Sequence, residues 1–282
     1  MRIHLIVNPF REDAVTAATD TGKWLREKNI EVHADPDIAA LIAVPAASII
    51  QMNEIDLVIA FGGDGTLIGA AKLCSQTSTP ILGVYFGRFG FVTQCEPSQA
   101  KEVIERFLIG EACIENRMMI QAELLRNQKV IATMHCLNEA VLHREAAGRM
   151  LCFNVMVDDY FLTSYPADGV LVSTPTGSTG YNLSAGGPIV DHSLEALILA
   201  AITPHTLSAR PLLLLPSSVV ILSTENGGDA VLSCDGQSRL HLLPGDSVRI
   251  KRSTRTTRLV CVNQADFLVK LRNKLLWSRS LI

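Results

Sequence analysis

Long apolar runs are absent from this 282-residue chain. The longest, Leu194 to Ile202, is interrupted by Glu195 and falls far short of the roughly 20 residues that span a bilayer, so no transmembrane helix is expected. Aromatic residues make up only 5%, yet 48% hydrophobic and 19% charged residues are an ordinary globular composition, which excludes disordered and fibrous architectures. There is no C-x-x-C pair. The seven cysteines lie at least 16 residues apart, an odd count that suits neither a disulfide framework nor a zinc site. They read as small buried thiols of a cytoplasmic protein. The start, Met1 to Pro9, ends in a turn dipeptide rather than a small-residue cleavage site and reads as a first strand. A net charge of −3 leaves little attraction for nucleic acid or a membrane surface, and neither is expected as a partner. Nine of the 25 Lys and Arg do crowd between Arg249 and Arg279, where they read as a solvated strand and helix face.

The hydrophobic pattern changes partway along the chain. Up to about Glu96, strand-like runs at Ile3 to Val7, Ile55 to Phe61 and Pro80 to Val84 alternate with helix-like segments at Glu12 to Lys28 and Thr66 to Ser75. That alternation predicts a parallel sheet covered by helices. A helix over Ser98 to Ile109, stopped by Gly110, follows. Beyond Arg117 the period becomes two, as in Met118, Ile120, Ala122 and Leu124, and Asp158-Asp159 reads as a hairpin turn. The fold class expected is therefore an α/β N-terminal domain (1–97) and a β-rich domain (98–260). A C-terminal strand and amphipathic helix (261–282), built on Phe267, Leu268, Leu271 and Leu275, pack back on the first.

Two windows concentrate the chemistry. Twelve of the 19 glycines fall in Gly62 to Gly90 and Gly169 to Gly187. The first opens with Gly62-Gly63-Asp64-Gly65-Thr66 between a buried strand and a helix, where strand ends form a ligand crevice and a helix N-terminus favours phosphate. A glycine-rich strand-to-helix turn with no ligand is the simpler alternative. The standard P-loop spacing is absent, and no acid occurs between Leu67 and Cys95 to hold a ribose, so a hydride-transfer Rossmann enzyme is disfavoured. Asp64 in a phosphate cradle could act as a general base or as a magnesium ligand; both roles stay open at this point. The second window, Asp168 to Pro188, is dense in hydroxyls and carries Tyr181, groups that bind sugars and phosphates and stack on a base. His135, His143, His192, His205 and His241 are scattered without metal-ligand spacing, so no residue is assigned to a metal. No G-x-S-x-G elbow is present, which disfavours a serine hydrolase.

Together, Gly62 to Thr66, Asn138-Glu139, the Asp168 to Pro188 segment, Pro204 to Pro211 and Ser233-Cys234-Asp235-Gly236-Gln237 resemble the NAD kinase family in order and over nearly the full chain. The glycine core alone is shared with phosphofructokinases and diacylglycerol kinases; the long second window makes the resemblance specific. The resemblance implies a phosphotransferase with an alcohol acceptor: phosphate passes, with magnesium or another divalent cation, from ATP or polyphosphate to the adenosine-ribose 2′-hydroxyl of NAD. It implies a homodimer or homotetramer. By the same resemblance Asp64 is the catalytic base, and Gly65, Asn138, Glu139, Asp168, Thr176, Thr179, Tyr181, Ser184 and Gln237 bind NAD. Gly62, Gly63, Thr66 and Arg88 face the phosphate donor. The chain departs from the family at Tyr85, where members usually carry Asn. Two other readings compete, a diacylglycerol-type lipid kinase and a non-catalytic NAD(P) sensor on the same fold.

Overall fold

The computed structural model of the protein describes residues 1–49, 54–87, 90–92, 95–145, 150–225, 230–262 and 266–275. The chain divides into two compact units, Met1–Asn116 with Thr257–Ile282, and Arg117–Thr256.

In the first unit β1 (Arg2–Val7), α1 (Glu12–Glu27), β2 (Glu31–Ala34), the single turn α2 (Pro36–Ala39), β3 (Leu57–Gly62), α3 (Asp64–Cys74), β4 (Ile81–Tyr85) and α4 (Ala100–Leu108) follow in chain order. The strands run parallel in the order β2-β1-β3-β4. Every residue of β3 is buried, as a strand covered on both faces requires. Leu57, Ile59 and Phe61 enter a core with Ala14, Ala18 and Leu25 of α1, at the spacing that the helix period predicts. Val103 and Ile104 of α4 join the same core. That packing moves the division from the expected position after residue 97 to a point after Asn116.

The second unit is built from β5 (Ile114–Arg126), β6 (Lys129–Cys136), β7 (Glu139–Arg144), β8 (Leu151–Val157), β9 (Tyr160–Ala167), β10 (Gly169–Ser173), α5 (Tyr181–Ser184), β11 (Leu197–Ile202), β12 (Leu212–Leu214), β13 (Val220–Thr224), β14 (Ala230–Cys234), β15 (Ser238–His241) and most of β16 (Ser247–Val260). Strands β16, β13, β8 and β9 pair antiparallel in that order, and β5 joins β16 to β6. A second antiparallel sheet runs β12-β11-β10-β7-β14-β15. Met118, Ile120, Ala122 and Leu124 of the first sheet and Leu142, Val170, Val172 and Leu232 of the second share one core, so alternate residues of each strand face inward. Asp158 and Asp159 both have positive φ (49° and 66°), the conformation of the tight hairpin turn expected there.

The end of β16 belongs to the first unit, where Leu259 pairs in parallel with Ile81. The last helix, α6 (Asp266–Lys274), buries Leu271 at 5% exposure but leaves Leu268 at 71%, so the apolar stripe expected there is narrower than the sequence suggests.

Candidate active site

The first glycine window forms the corner between β3 and α3, at the carboxyl ends of the parallel strands where open α/β sheets bind ligands. Gly62 must be glycine, because a Cβ there would lie 2.2 Å from Thr66 Oγ1. A Cβ on Gly63 or Gly65 would meet nothing within 4 Å, so the backbone beside both is open to an approaching group. Asp64 begins α3. Its carboxylate accepts the Phe91 N–H at 2.8 Å and the Val92 N–H at 3.2 Å, which ties the segment after β4 to the helix start. These charge-assisted bonds orient both oxygens.

Tyr85 pairs in register with Gly62, and its hydroxyl donates to Glu96 Oε1 at 2.9 Å. Arg88 lies outside the described residues. A cation that sequence reasoning missed, Arg11, packs against Gly87 and holds Asp13 in a bidentate pair at 3.0 and 3.1 Å. Asn8-Pro9 signalled only a turn there.

The second unit builds its site around the corner between β6 and β7. The Asp235 carboxylate accepts the N–H groups of Leu137 and Asn138 at 2.8 Å and of Glu139 at 3.1 Å. In return the Asp235 N–H donates to the Glu139 carbonyl at 3.0 Å. The Asn138 carbonyl accepts from Thr174 N–H at 2.8 Å and Ser173 Oγ at 3.0 Å, and Gly177 passes so close that a Cβ would lie 2.4 Å from that carbonyl. These contacts dock the 3-10 turn Thr176–Thr179 and α5 onto Asn138 and Glu139. Asn138 Oδ1 and Glu139 Oε2 are buried without a hydrogen-bond partner among the described residues. Native interiors rarely leave such groups unmatched, so both are suited to a ligand.

A cavity of about 340 Å³ is lined by Glu139, Val141 and His143 of β7, with Asp168, Tyr181 and Arg239 among the other walls. Burial first, and then the nearby Asp235 charge, push the Glu139 carboxyl up to about 8, against the opposing Tyr181 N–H. Asp168 lies under opposite influences. The Thr203 hydroxyl donates to it at 2.5 Å and the Arg144 guanidinium at 2.8 Å, which holds its carboxyl below the usual carboxylate range.

Glu139, Asp168 and Tyr181 thus line one cavity, with Asn138 at the adjoining corner. Thr176 is buried within the turn; Ser184 is exposed on α5, and Gln237 is exposed beside Gly236 with its N–H on the Cys234 carbonyl. Asp235, Arg144 and Thr203 were not singled out. Asp235-Gly236 is a turn signal, but nothing local tells that the carboxylate reaches residues 96 to 98 positions earlier.

The chain resembles known proteins over its whole length. Residues 3–112 match the sequence profile of the ATP-NAD kinase N-terminal domain, and residues 137–262 that of the ATP-NAD kinase C-terminal domain. The NAD kinase of Shewanella frigidimarina (strain NCIMB 400) is 38% identical over 284 residues, covering 99% of this chain and 92% of the relative. The solved structure of yeast NADH kinase complexed with NADH superposes with a TM-score of 0.93 at 26% identity, covering 100% of this chain and 89% of that one. An NAD kinase from Archaeoglobus fulgidus in complex with ATP shares the fold, with a TM-score of 0.77 at 20% identity over 96% of this chain and 99% of that one.

Proposed function

The chain belongs to the NAD kinase family, and from that premise we propose that it transfers a phosphoryl group from ATP or polyphosphate to the adenosine-ribose 2′-hydroxyl of NAD, yielding NADP. The observation that carries the dinucleotide reading is the Asn138-Glu139 corner, where two buried polar atoms have no hydrogen-bond partner among the described residues and Glu139 lines a cavity of about 340 Å³. Ribose hydroxyls and amide groups are the partners such atoms require.

In this reading the 2′-oxygen forms a bond to the terminal phosphorus of the donor as the bond from that phosphorus to the bridging oxygen breaks. The leaving group is ADP, or a polyphosphate one unit shorter. The hydroxyl proton goes to Asp64. Two N–H bonds fix the direction of that carboxylate, and phosphoryl transfer proceeds through a loose transition state that asks mainly for positioning. The open backbone at Gly63 and Gly65, with the Thr66 hydroxyl beside it, faces the donor phosphates. A magnesium ion bound with the donor would supply charge neutralisation for its phosphates. Among the described residues no group of three or more His, Cys, Asp and Glu side chains is gathered to cage a cation. Asp64 is the loop carboxylate available to it.

On the dinucleotide side Asn138 and Glu139 take the ribose, Tyr181 offers its flat face, and Asp168, fixed by Arg144 and Thr203, lies toward the nicotinamide end. Gly65, Thr176, Thr179, Ser184 and Gln237 complete the assignment as in the family. A lipid acceptor fits less well, because charged and hydroxyl groups border the cavity. The seven cysteines carry free thiols, which supports a reducing cytoplasm as the site of action. Incubating purified protein with NAD, magnesium and either ATP or polyphosphate, and measuring NADP, tests the proposal. NADP should form with at least one donor. NAD binding without turnover on either donor would replace the kinase by a sensor.

A further inference from the structure

The corner that presents Asn138 and Glu139 is held from one side by a single carboxylate. Asp235 sits after β14 at a positive φ of 50°, a conformation that costs a non-glycine residue free energy and persists only where the surroundings fix it. What fixes it is the set of three N–H groups of residues 137–139, together with the reciprocal bond to the Glu139 carbonyl. Asp235 does not itself line the cavity; Glu139 does. Glu139 is only 8% exposed.

We propose that Asp235 is a positioning residue for the dinucleotide: it locks the backbone of Asn138 and Glu139 and sets a like charge beside the Glu139 carboxyl, so that Glu139 meets the ligand as a hydrogen-bond donor. The inference rests on the NAD kinase reading for the identity of that ligand. Around Glu139, burial and the Asp235 charge favour a neutral carboxyl and the Tyr181 N–H opposes them. Arg144 is engaged by Asp168, and the His143 Nδ1 faces the Arg144 carbonyl at 2.8 Å. Arg239 is an exposed residue of the cavity lining, the Tyr181 phenol is on α5, and Cys136 is a buried thiol. The upward displacement of the Glu139 carboxyl, to about 8, has Asp235 as its second cause after burial. A protonated carboxyl donates one hydrogen bond where a carboxylate could only accept.

Two measurements on the full chain test this. In carboxyl ¹³C NMR of the free protein, Glu139 should titrate near 8 and should shift to lower pH in Asp235→Asn, which keeps an acceptor for the Asn138 and Glu139 amides but loses the charge. In steady-state assays the parent should lose NAD affinity as pH rises through about 8, and Glu139→Gln, a donor at every pH, should lose that alkaline limb. Asp235→Asn should move the limb to lower pH and raise the Michaelis constant for NAD roughly tenfold, the loss of about one good hydrogen bond, with kcat changed less. A Glu139 titration that stays in place in Asp235→Asn, in a variant whose melting transition shows it folded, overturns the inference. If Asp235→Asn fails to fold, an unchanged alkaline limb in Glu139→Gln overturns it. Absence of NADP formation by the parent enzyme counts against the kinase reading alone, because the NMR titration reports on Asp235 without any substrate.

Discussion

Asp64 and Glu139 are both carboxylic acids at corners of the backbone, yet their surroundings give them opposite tasks. Asp64 accepts two backbone N–H bonds, which fix where its carboxylate points, whereas Glu139 is buried beside another carboxylate that pushes its carboxyl up to about 8. Asp64→Asn is expected to lower turnover by at least about 10², the low end for a positioned base, with NAD affinity within a few-fold by calorimetry. NAD binding abolished, with normal turnover at saturating NAD, would make Asp64 a binding residue. Glu139 carries a stability cost with a definite sign. Its carboxyl ionises near 4.5 in an unfolded chain and near 8 when folded, so the native state keeps a proton that the unfolded state has lost, and stability falls as pH rises between those values. Glu139→Gln should therefore melt at a higher temperature than the parent at pH 8 and at the same temperature near pH 4. Equal differences at both pH values would assign the pH dependence to another group.

At the scale of elements, the run from β10 through the 3-10 turn to α5 is the piece that closes the Asn138-Glu139 corner, and Gly177 is its tightest point. Gly177→Ala, forcing a Cβ against the Asn138 carbonyl, should destabilise the protein by roughly 1 to 3 kcal/mol and weaken NAD binding; chemical denaturation and calorimetry read the two effects. Unchanged affinity would separate the turn from the site. Tyr85 sits at the end of β4 beside Gly62, but its hydroxyl turns to the exposed Glu96. Tyr85→Asn should leave folding intact and change the Michaelis constant of the phosphate donor more than that of NAD; an unchanged constant for both ATP and polyphosphate refutes this. Much of this element structure was legible in the sequence. The two-residue period of Met118, Ile120, Ala122 and Leu124 and the all-apolar β3 are local consequences of which faces are buried, so pattern alone exposes them. The glycine corner at Gly62 was legible for the same reason. What stayed hidden is long-range: Asp235 bonding to residue 137, Arg144 and Thr203 meeting on Asp168, and the exposed Leu268, because partners brought together by topology leave no spacing signal.

For the whole molecule, the β9 edge of its sheet carries Tyr160 at 80% and Phe161 at 65% exposure, an apolar margin of the kind native proteins cover. A homodimer or homotetramer is expected in light scattering, and Phe161→Arg should lower the assembled mass; a parent that is monomeric, or a variant that assembles as before, would point away from this edge. A different consequence follows from the way the first unit is completed. Its sheet gains Leu259 beside Ile81, its core gains Val260, and the Cys261 N–H bonds the Cys113 carbonyl at 2.9 Å. Those residues emerge only after the 140 positions between Asn116 and Thr257 have been made, since 256 − 116 = 140. At cellular elongation rates the wait is on the order of ten seconds, during which β4 is an open strand edge on the nascent chain. A ribosome stalled or a message truncated just before Thr257 would therefore release not a slightly shortened enzyme but an unclosed α/β half, a substrate for chaperones and proteases.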